Sequence, residues 1–133
     1  MTEYDSGLLR ILREQADELL HAFLNANTFE QQIKLLLIEK IEFGKNSEED
    51  IAKQLNYTLS SFKRKLKKDN INFRQLKESV KNDLAKKMLS QTQTKISHIA
   101  RKIGFSDQSS FTRFFIRCNQ AKPLEYRNKN SEK

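Results

Sequence analysis

Apolar residues recur at spacings of three and four along almost the whole chain, the period of a helix that buries one face. Leu8, Leu9, Leu12, Ala16, Leu19, Leu20, Phe23 and Leu24 form a wide stripe that predicts an amphipathic helix over about 7–25. Asn25-Ala26-Asn27 interrupts it, and Thr28 with Gln31 has the spacing of a capping box opening a second helix along Phe29, Ile33, Leu36, Leu37 and Ile41. Gly44 suits the left-handed turn ending that helix. Ser47 with Asp50 predicts a further cap ahead of a short helix to about Leu55. Thr58 caps the next, with Phe62 and Leu66 inward and Asn70 fitted to stop it. A long helix over about 73–90 carries Leu76, Val80, Leu84, Met88 and Leu89 inward. Beyond it lie Ile96, Ile99, Ala100 and Ile103, a Gly104 turn, Ser106 as the expected cap, and Phe111, Phe114 and Phe115 assigned to the core. A last helix opens near Pro123, a suitable first-turn residue.

Two stretches of this pattern repeat each other. Ile51, Leu55 and Tyr57 match Ile99, Ile103 and Phe105 at an offset of 48, and Phe62, Arg64 and Leu66 match Phe111, Arg113 and Phe115 at 49. Phe73-Arg74-Gln75-Leu76 then pairs with Pro123-Leu124-Glu125-Tyr126 at 50. Chance likeness between amphipathic helices explains a shared period but not matched turns. The predicted fold class is all-α: two helix-turn-helix subdomains, about 47–69 and 96–118, joined by the long central helix and preceded by one or two amphipathic helices.

Composition narrows the partner. The 133 residues hold three Gly and one Pro, few places to break a helix. Residues 1–46 carry five Lys/Arg against eight Asp/Glu, a net −3, whereas 47–133 carry twenty against nine, a net +11, so the positive character behind the formal charge of +8 belongs to the repeat region. A polyanion such as DNA is its natural partner. Cys118 is the one cysteine, His21 and His98 lie far from it, and no metal-ligand spacing, phosphate loop or nucleophile motif appears. No enzyme, catalytic residue, metal or cofactor is expected. The lone cysteine fits a reducing compartment and no apolar run nears the roughly 20 residues that span a bilayer, so a cytoplasmic location without membrane partners is expected.

In a helix-turn-helix the second helix lies in the major groove with its N-terminal half against base edges. The hydrogen-bonding groups there are Ser60, Ser61, Lys63 and Arg64 in the first repeat, and Asp107, Gln108, Ser109, Thr112 and Arg113 in the second. Arg or Lys can grip guanine and Gln adenine, each good bidentate contact discriminating by roughly 1–3 kcal/mol. Lys65, Lys67, Lys68, Arg101, Lys102 and Arg117 are candidates for phosphates. For any one of these cations the alternative is a solvated helix face, and a repeated arginine can equally grip phosphate or brace its own unit.

The run Ile99-Ala100-Arg101-Lys102-Ile103-Gly104-Phe105-Ser106-Asp107-Gln108-Ser109-Ser110-Phe111, followed by Arg113, Phe115, Pro123 and Glu125-Tyr126-Arg127, resembles the C-terminal DNA-binding domain of AraC/XylS-type bacterial transcription regulators. With the first repeat the resemblance covers about 30–128. It implies a DNA-binding transcription regulator, usually an activator, that reads successive major-groove segments of promoter or operator DNA. Its base-reading candidates are Ser60, Lys63 and Arg64, then Gln108, Ser109 and Arg113, and RNA polymerase is a further candidate partner. Residues 28–133 would be this domain and 1–27 the remnant of a sensor and dimerisation region, making the chain part of a longer regulator. Leu8, Leu12, Leu19 and Phe23 would then form a homodimer seam, or else pack on the chain's own helices. Three positions depart from the family pattern: Asn70 and Gln120 stand where glycine usually follows each recognition helix, with Asn119 available to relieve the second, and Ile116 replaces a basic residue. An interaction module that dimerises through 7–42 and modulates a full-length regulator is the alternative. A basic module on anionic membrane fits less well, because the apolar stripes are used in building a core.

Overall fold

A computed structural model of the chain describes residues 3–26 and 28–131, and side chains over 7–21 and 28–131. The helices are α1 (Glu3–Ala26), α2 (Phe29–Lys40) running into a 3-10 turn (Ile41–Phe43), α3 (Glu48–Gln54), α4 (Leu59–Lys68), α5 (Phe73–Gln91), α6 (Ile96–Lys102), α7 (Gln108–Asn119) and α8 (Pro123–Asn130). They fall into two compact units, Gln15–Val80 and Met1–Glu14 with Lys81–Lys133. The division does not follow the 27/28 boundary: the start of α1 groups with the second unit and its continuation with the first.

In the first unit α3 packs on both α2 and α4. Thr28 Oγ1 accepts the Gln31 N–H at 3.2 Å and starts α2. Only half of the expected box forms, since the Gln31 side-chain oxygen is buried without a hydrogen bond among the described residues. Gly44, at φ 73°, turns the chain after the 3-10 segment. Ser47 and Asp50 make the full reciprocal box, Asp50 N–H to Ser47 Oγ at 3.1 Å and Ser47 N–H to Asp50 Oδ2 at 3.2 Å. The core centres on Phe62, fully buried and edge-on to Phe29 at 5.6 Å and to Phe73 at 6.1 Å. Burying such a ring contributes about 1.5–3 kcal/mol, and each ring pair about 0.5–1.5 kcal/mol more.

The second unit repeats the plan, with α6 and α8 packed on α7. Ile99, Ile103, Phe111 and Phe115 are fully buried, together with Leu84, Met88 and Leu89 of α5. Tyr126 of α8 stands edge-on to Phe115 at 5.5 Å, and Arg127 Nε donates to the Leu89 carbonyl at 3.0 Å, closing the end of α5. Leu8 and Ile11 of α1 are also buried. Gly7 permits this approach, since a Cβ there would lie 3.3 Å from Thr92 Cγ2.

Two local expectations are corrected. The cap of α7 is Asp107, not Ser106: Asp107 Oδ1 accepts the Ser110 N–H at 2.7 Å, so the helix begins one residue later. The strain after α7 is taken by Gln120 itself, at φ 56°, and not by Asn119. Asn119 is held elsewhere, exchanging amide hydrogen bonds with Asn82 at 2.7 and 3.2 Å and donating to the Phe115 carbonyl at 3.0 Å. Gln120 compensates with its N–H on the Ile116 carbonyl at 2.8 Å and its Nε2 on the Arg117 carbonyl at 3.2 Å.

Candidate nucleic-acid interface

Each candidate reading helix is aimed by a turn that the repeat builds twice. In the first unit Asn56 takes φ 63° and the Tyr57 N–H reaches back to the Ala52 carbonyl at 2.9 Å. In the second Gly104 takes φ 95° and the Phe105 N–H reaches the Ala100 carbonyl at the same distance. The left-handed residue costs glycine nothing and asparagine little, which is why these two residue types occupy the turn. Tyr57 and Phe105 then dock on Phe29 and Phe111, both at 5.7 Å, fixing where the following helix starts.

The starts of the two helices also correspond. Thr58 Oγ1 accepts the Ser61 N–H at 3.1 Å, as Asp107 Oδ1 accepts that of Ser110. The same serines receive an arginine one turn on: Arg64 Nη2 donates to Ser61 Oγ at 3.2 Å, and Arg113 Nη2 to Ser110 Oγ at 3.4 Å, a longer bond. Both serines are half-buried and both arginines exposed. Ser110 is missing from the sequence-based candidates, although Ser61 points to it at the offset of 49 shared by their neighbours.

The other candidates divide by environment. Ser60, Lys63, Lys67 and Lys68 on α4, and Gln108 and Ser109 on α7, are exposed, whereas Thr112 is half-buried. Lys65 is half-buried, with Nζ 3.4 Å from Asp69 Oδ2 and 5.0 Å from the centre of the Phe29 ring, so it serves its own unit more than a phosphate. Asp107 is occupied as a cap; the Ser110 N–H and hydroxyl, helped by the Arg113 charge, hold its carboxyl below the usual range. Arg101 is exposed and Lys102 half-buried, while exposed Arg117 lies over the Phe114 ring at 5.6 Å. Beside α4 an open groove of about 680 Å³ is lined by Lys63, Lys67 and Arg74, with Glu48 the one acid among its lining residues. Arg74, at the start of α5 and exposed, joins the phosphate candidates; its place in the basic groove follows from the fold, not from the repeat.

Of the proposed dimer seam, Leu8 is 1% exposed and unavailable to a partner, because it is inside its own unit. Leu12 and Leu19 are half-buried, Leu20 beside them is 45% exposed, and the Phe23 side chain lies outside the described residues. Among the described residues no group of three His, Cys, Asp or Glu is placed to hold a metal, and no helix is long and apolar enough to cross a membrane.

The sequence pattern of a family described as a helix-turn-helix domain matches residues 51–129, which include both turns and both candidate reading helices. The chain belongs to the helix-turn-helix domain family. Its helix-turn-helix fold recurs in a DNA-binding transcriptional dual regulator from Escherichia coli K-12, with a TM-score of 0.70 at 20% identity over 76% of this chain and 90% of that one. The transcriptional regulator CdpR from Pseudomonas aeruginosa gives 0.67 at 24% identity over 89% of this chain and 37% of that longer one. The C-terminal domain of AraT, a response regulator from Geobacillus stearothermophilus, gives 0.62 at 23% identity over 76% and 88%. Among curated proteins no sequence matches significantly. At these identities the shared property is the all-α helix-turn-helix fold of bacterial transcription regulators.

Proposed function

We propose that this chain is a sequence-specific, double-stranded-DNA-binding transcription regulator of the AraC/XylS branch, acting in the bacterial cytoplasm as an activator. Helices α4 and α7 would each lie in one of two successive major-groove segments. Ser60, Lys63 and Arg64, then Gln108, Ser109 and Arg113, would face base edges, while Lys67, Lys68, Arg74, Arg101, Lys102 and Arg117 would meet phosphates. The observation that carries this reading is the duplication of one device, turn, cap, serine and exposed arginine, at the N-terminal half of two helices. The concentration of positive charge in the repeat supports it, since phosphate neutralisation supplies most of the affinity and base-edge contacts the selectivity. At a promoter the regulator would act on RNA polymerase, and two copies would pair through α1 at Leu12, Leu19 and Leu20.

The test is selection from a randomised duplex library, followed by titration of the winning duplex against a scrambled one at several salt concentrations. Two conserved blocks about one helical turn, roughly 34 Å, apart are the expected result. A single block would remove α7 from the reading. No enrichment, with weak binding that depends only on salt, would overturn it in favour of the interaction module.

A further inference from the structure

Both reading arginines are tied to a serine that the preceding cap has already fixed. In helix geometry residues three apart are neighbours, and side chains lean toward the N-terminus, so an arginine that bonds the serine one turn back carries its guanidinium toward the start of the helix. That is the end which meets base edges in a groove-bound recognition helix. The serine is a sound anchor: its N–H is bound by Thr58 Oγ1 or Asp107 Oδ1, and its side chain is half-buried. A guanidinium has five N–H donors, so one given to the hydroxyl leaves four for a base. The arrangement occurs twice, at one offset, under caps of different chemistry, Thr58 and Asp107, and with different residues immediately before the arginine, Lys63 and Thr112. Two separate helices converging on it set it apart from an incidental surface contact.

We infer that Ser61 and Ser110 are positioning residues for sequence recognition: their hydroxyls hold Arg64 and Arg113 extended toward the N-terminal end of α4 and α7 before DNA arrives. This deepens the proposed function and rests on it. Ordering a long side chain in advance removes part of the entropic cost of each base contact, equivalent to about threefold to tenfold in binding. The serine need not touch the base itself. Replacing it keeps the backbone N–H that each cap accepts, although Ser110→Ala also removes the hydroxyl bond to the Asp107 carboxylate.

The experiment uses the 133-residue chain and the duplex recovered from the randomised library, with each base pair of that duplex varied in turn. Arg64→Ala and Arg113→Ala first mark the positions at which each arginine discriminates. Ser61→Ala and Ser110→Ala should then lose about threefold to tenfold of the discrimination at those same positions with an unchanged salt slope, and Ser61→Ala, whose cap keeps its bond to the backbone N–H, should do so at an unchanged unfolding midpoint. Ser61→Thr and Ser110→Thr, which keep the hydroxyl, should restore it. Serine variants that discriminate as sharply as the parent overturn the inference while leaving the regulator reading intact. A uniform loss at every position with a lowered unfolding midpoint overturns it too, by showing the serines to be structural only. Failure of the parent chain to enrich any duplex overturns the regulator reading and this inference with it.

Discussion

The two helix-turn-helix units share a backbone device and differ in its electrical loading. Helix α4 starts on a neutral cap, Thr58, and carries Lys63, Arg64, Lys65, Lys67 and Lys68; helix α7 starts on the carboxylate of Asp107 and carries only Arg113 and Arg117. The face of α7 is correspondingly apolar, with Phe111, Phe114 and Phe115 buried and Ile116 exposed where a cation is expected. Turn, cap position and serine-arginine pair are thus what the device requires, while charge is free to vary. On the proposed reading the first unit grips the DNA strongly and the second contributes selectivity at lower affinity, since phosphate neutralisation sets affinity and its salt dependence.

The sharpest way to separate the units is through their cores. Phe62→Ala and Phe111→Ala each remove a fully buried ring and should cost about 3–5 kcal/mol of stability. Hydrogen exchange should show the loss of protection concentrated in residues 15–80 for Phe62→Ala and in 81–131 for Phe111→Ala. Equal loss throughout in both variants would make the two units one cooperative body and blunt the comparison.

Charge comes next. Lys67→Ala with Lys68→Ala, both exposed on α4, should lower the slope of log K against log salt by about 2. Arg101→Ala in the second unit should lower it by about 1, and Lys65→Ala by little, because Asp69 and the Phe29 ring already hold that ammonium. Fluorescence anisotropy titrations across salt give all three slopes. A larger drop from Arg101 than from the lysine pair would reverse the assignment of the gripping unit.

Acid should distinguish the caps. Asp107 and Asp50 both have carboxyls held below the usual range, Asp107 chiefly by the Ser110 N–H and Asp50 chiefly by the Ser47 hydroxyl. Because the folded pKa is the lower, the unfolded chain takes up the proton first. The stabilisation is fully present above the unfolded value, near 4, and is lost as pH falls through the folded value. Loss of helix protection on acidification should therefore reach α7 and α3 but spare α4, whose cap is a threonine. Asp107→Ser, keeping a capping oxygen without the charge, should remove the acid sensitivity of α7 alone. Residue-resolved exchange at neutral and acid pH reads this out, and an equally acid-sensitive α4 would contradict it.

What was legible in the sequence was what neighbouring residues decide. Thr28, Ser47, Thr58 and Gly44 announce helix ends by chemistry that acts within three or four residues, and the matched turns needed only the offset between repeats. Ser106 against Asp107 was not decidable that way, since both can cap. The choice falls to the Phe105 N–H on the Ala100 carbonyl and the docking of the Phe105 ring on Phe111, which set where α7 begins. Lys65 looked like its lysine neighbours because the Phe29 ring beneath it comes from another helix. Leu8 sits in a stripe whose period shows that one face is buried, without showing what covers it. Ser110 is not legible as a candidate because it is half-buried, and its bond from Arg113 depends on a side-chain conformation that the sequence does not show.

The smallest expected difference lies where α4 and α7 end. Asn70 and Gln120 both stand in the left-handed region, at φ 59° and 56°. Asparagine reaches that region at little cost, whereas a residue with a longer side chain pays up to about 1–2 kcal/mol. Gln120→Gly should therefore stabilise the second unit by about 0.5–1 kcal/mol, after allowing for glycine's greater freedom in the unfolded chain and the loss of the Nε2 bond to the Arg117 carbonyl. Asn70→Gly should change the first unit by no more than a few tenths of a kcal/mol, by the same reasoning. Urea unfolding midpoints of the two variants test this directly. If Gln120→Gly instead destabilises, the side-chain cap outweighs the backbone strain, and the end of α7 has adapted to doing without glycine as fully as the end of α4.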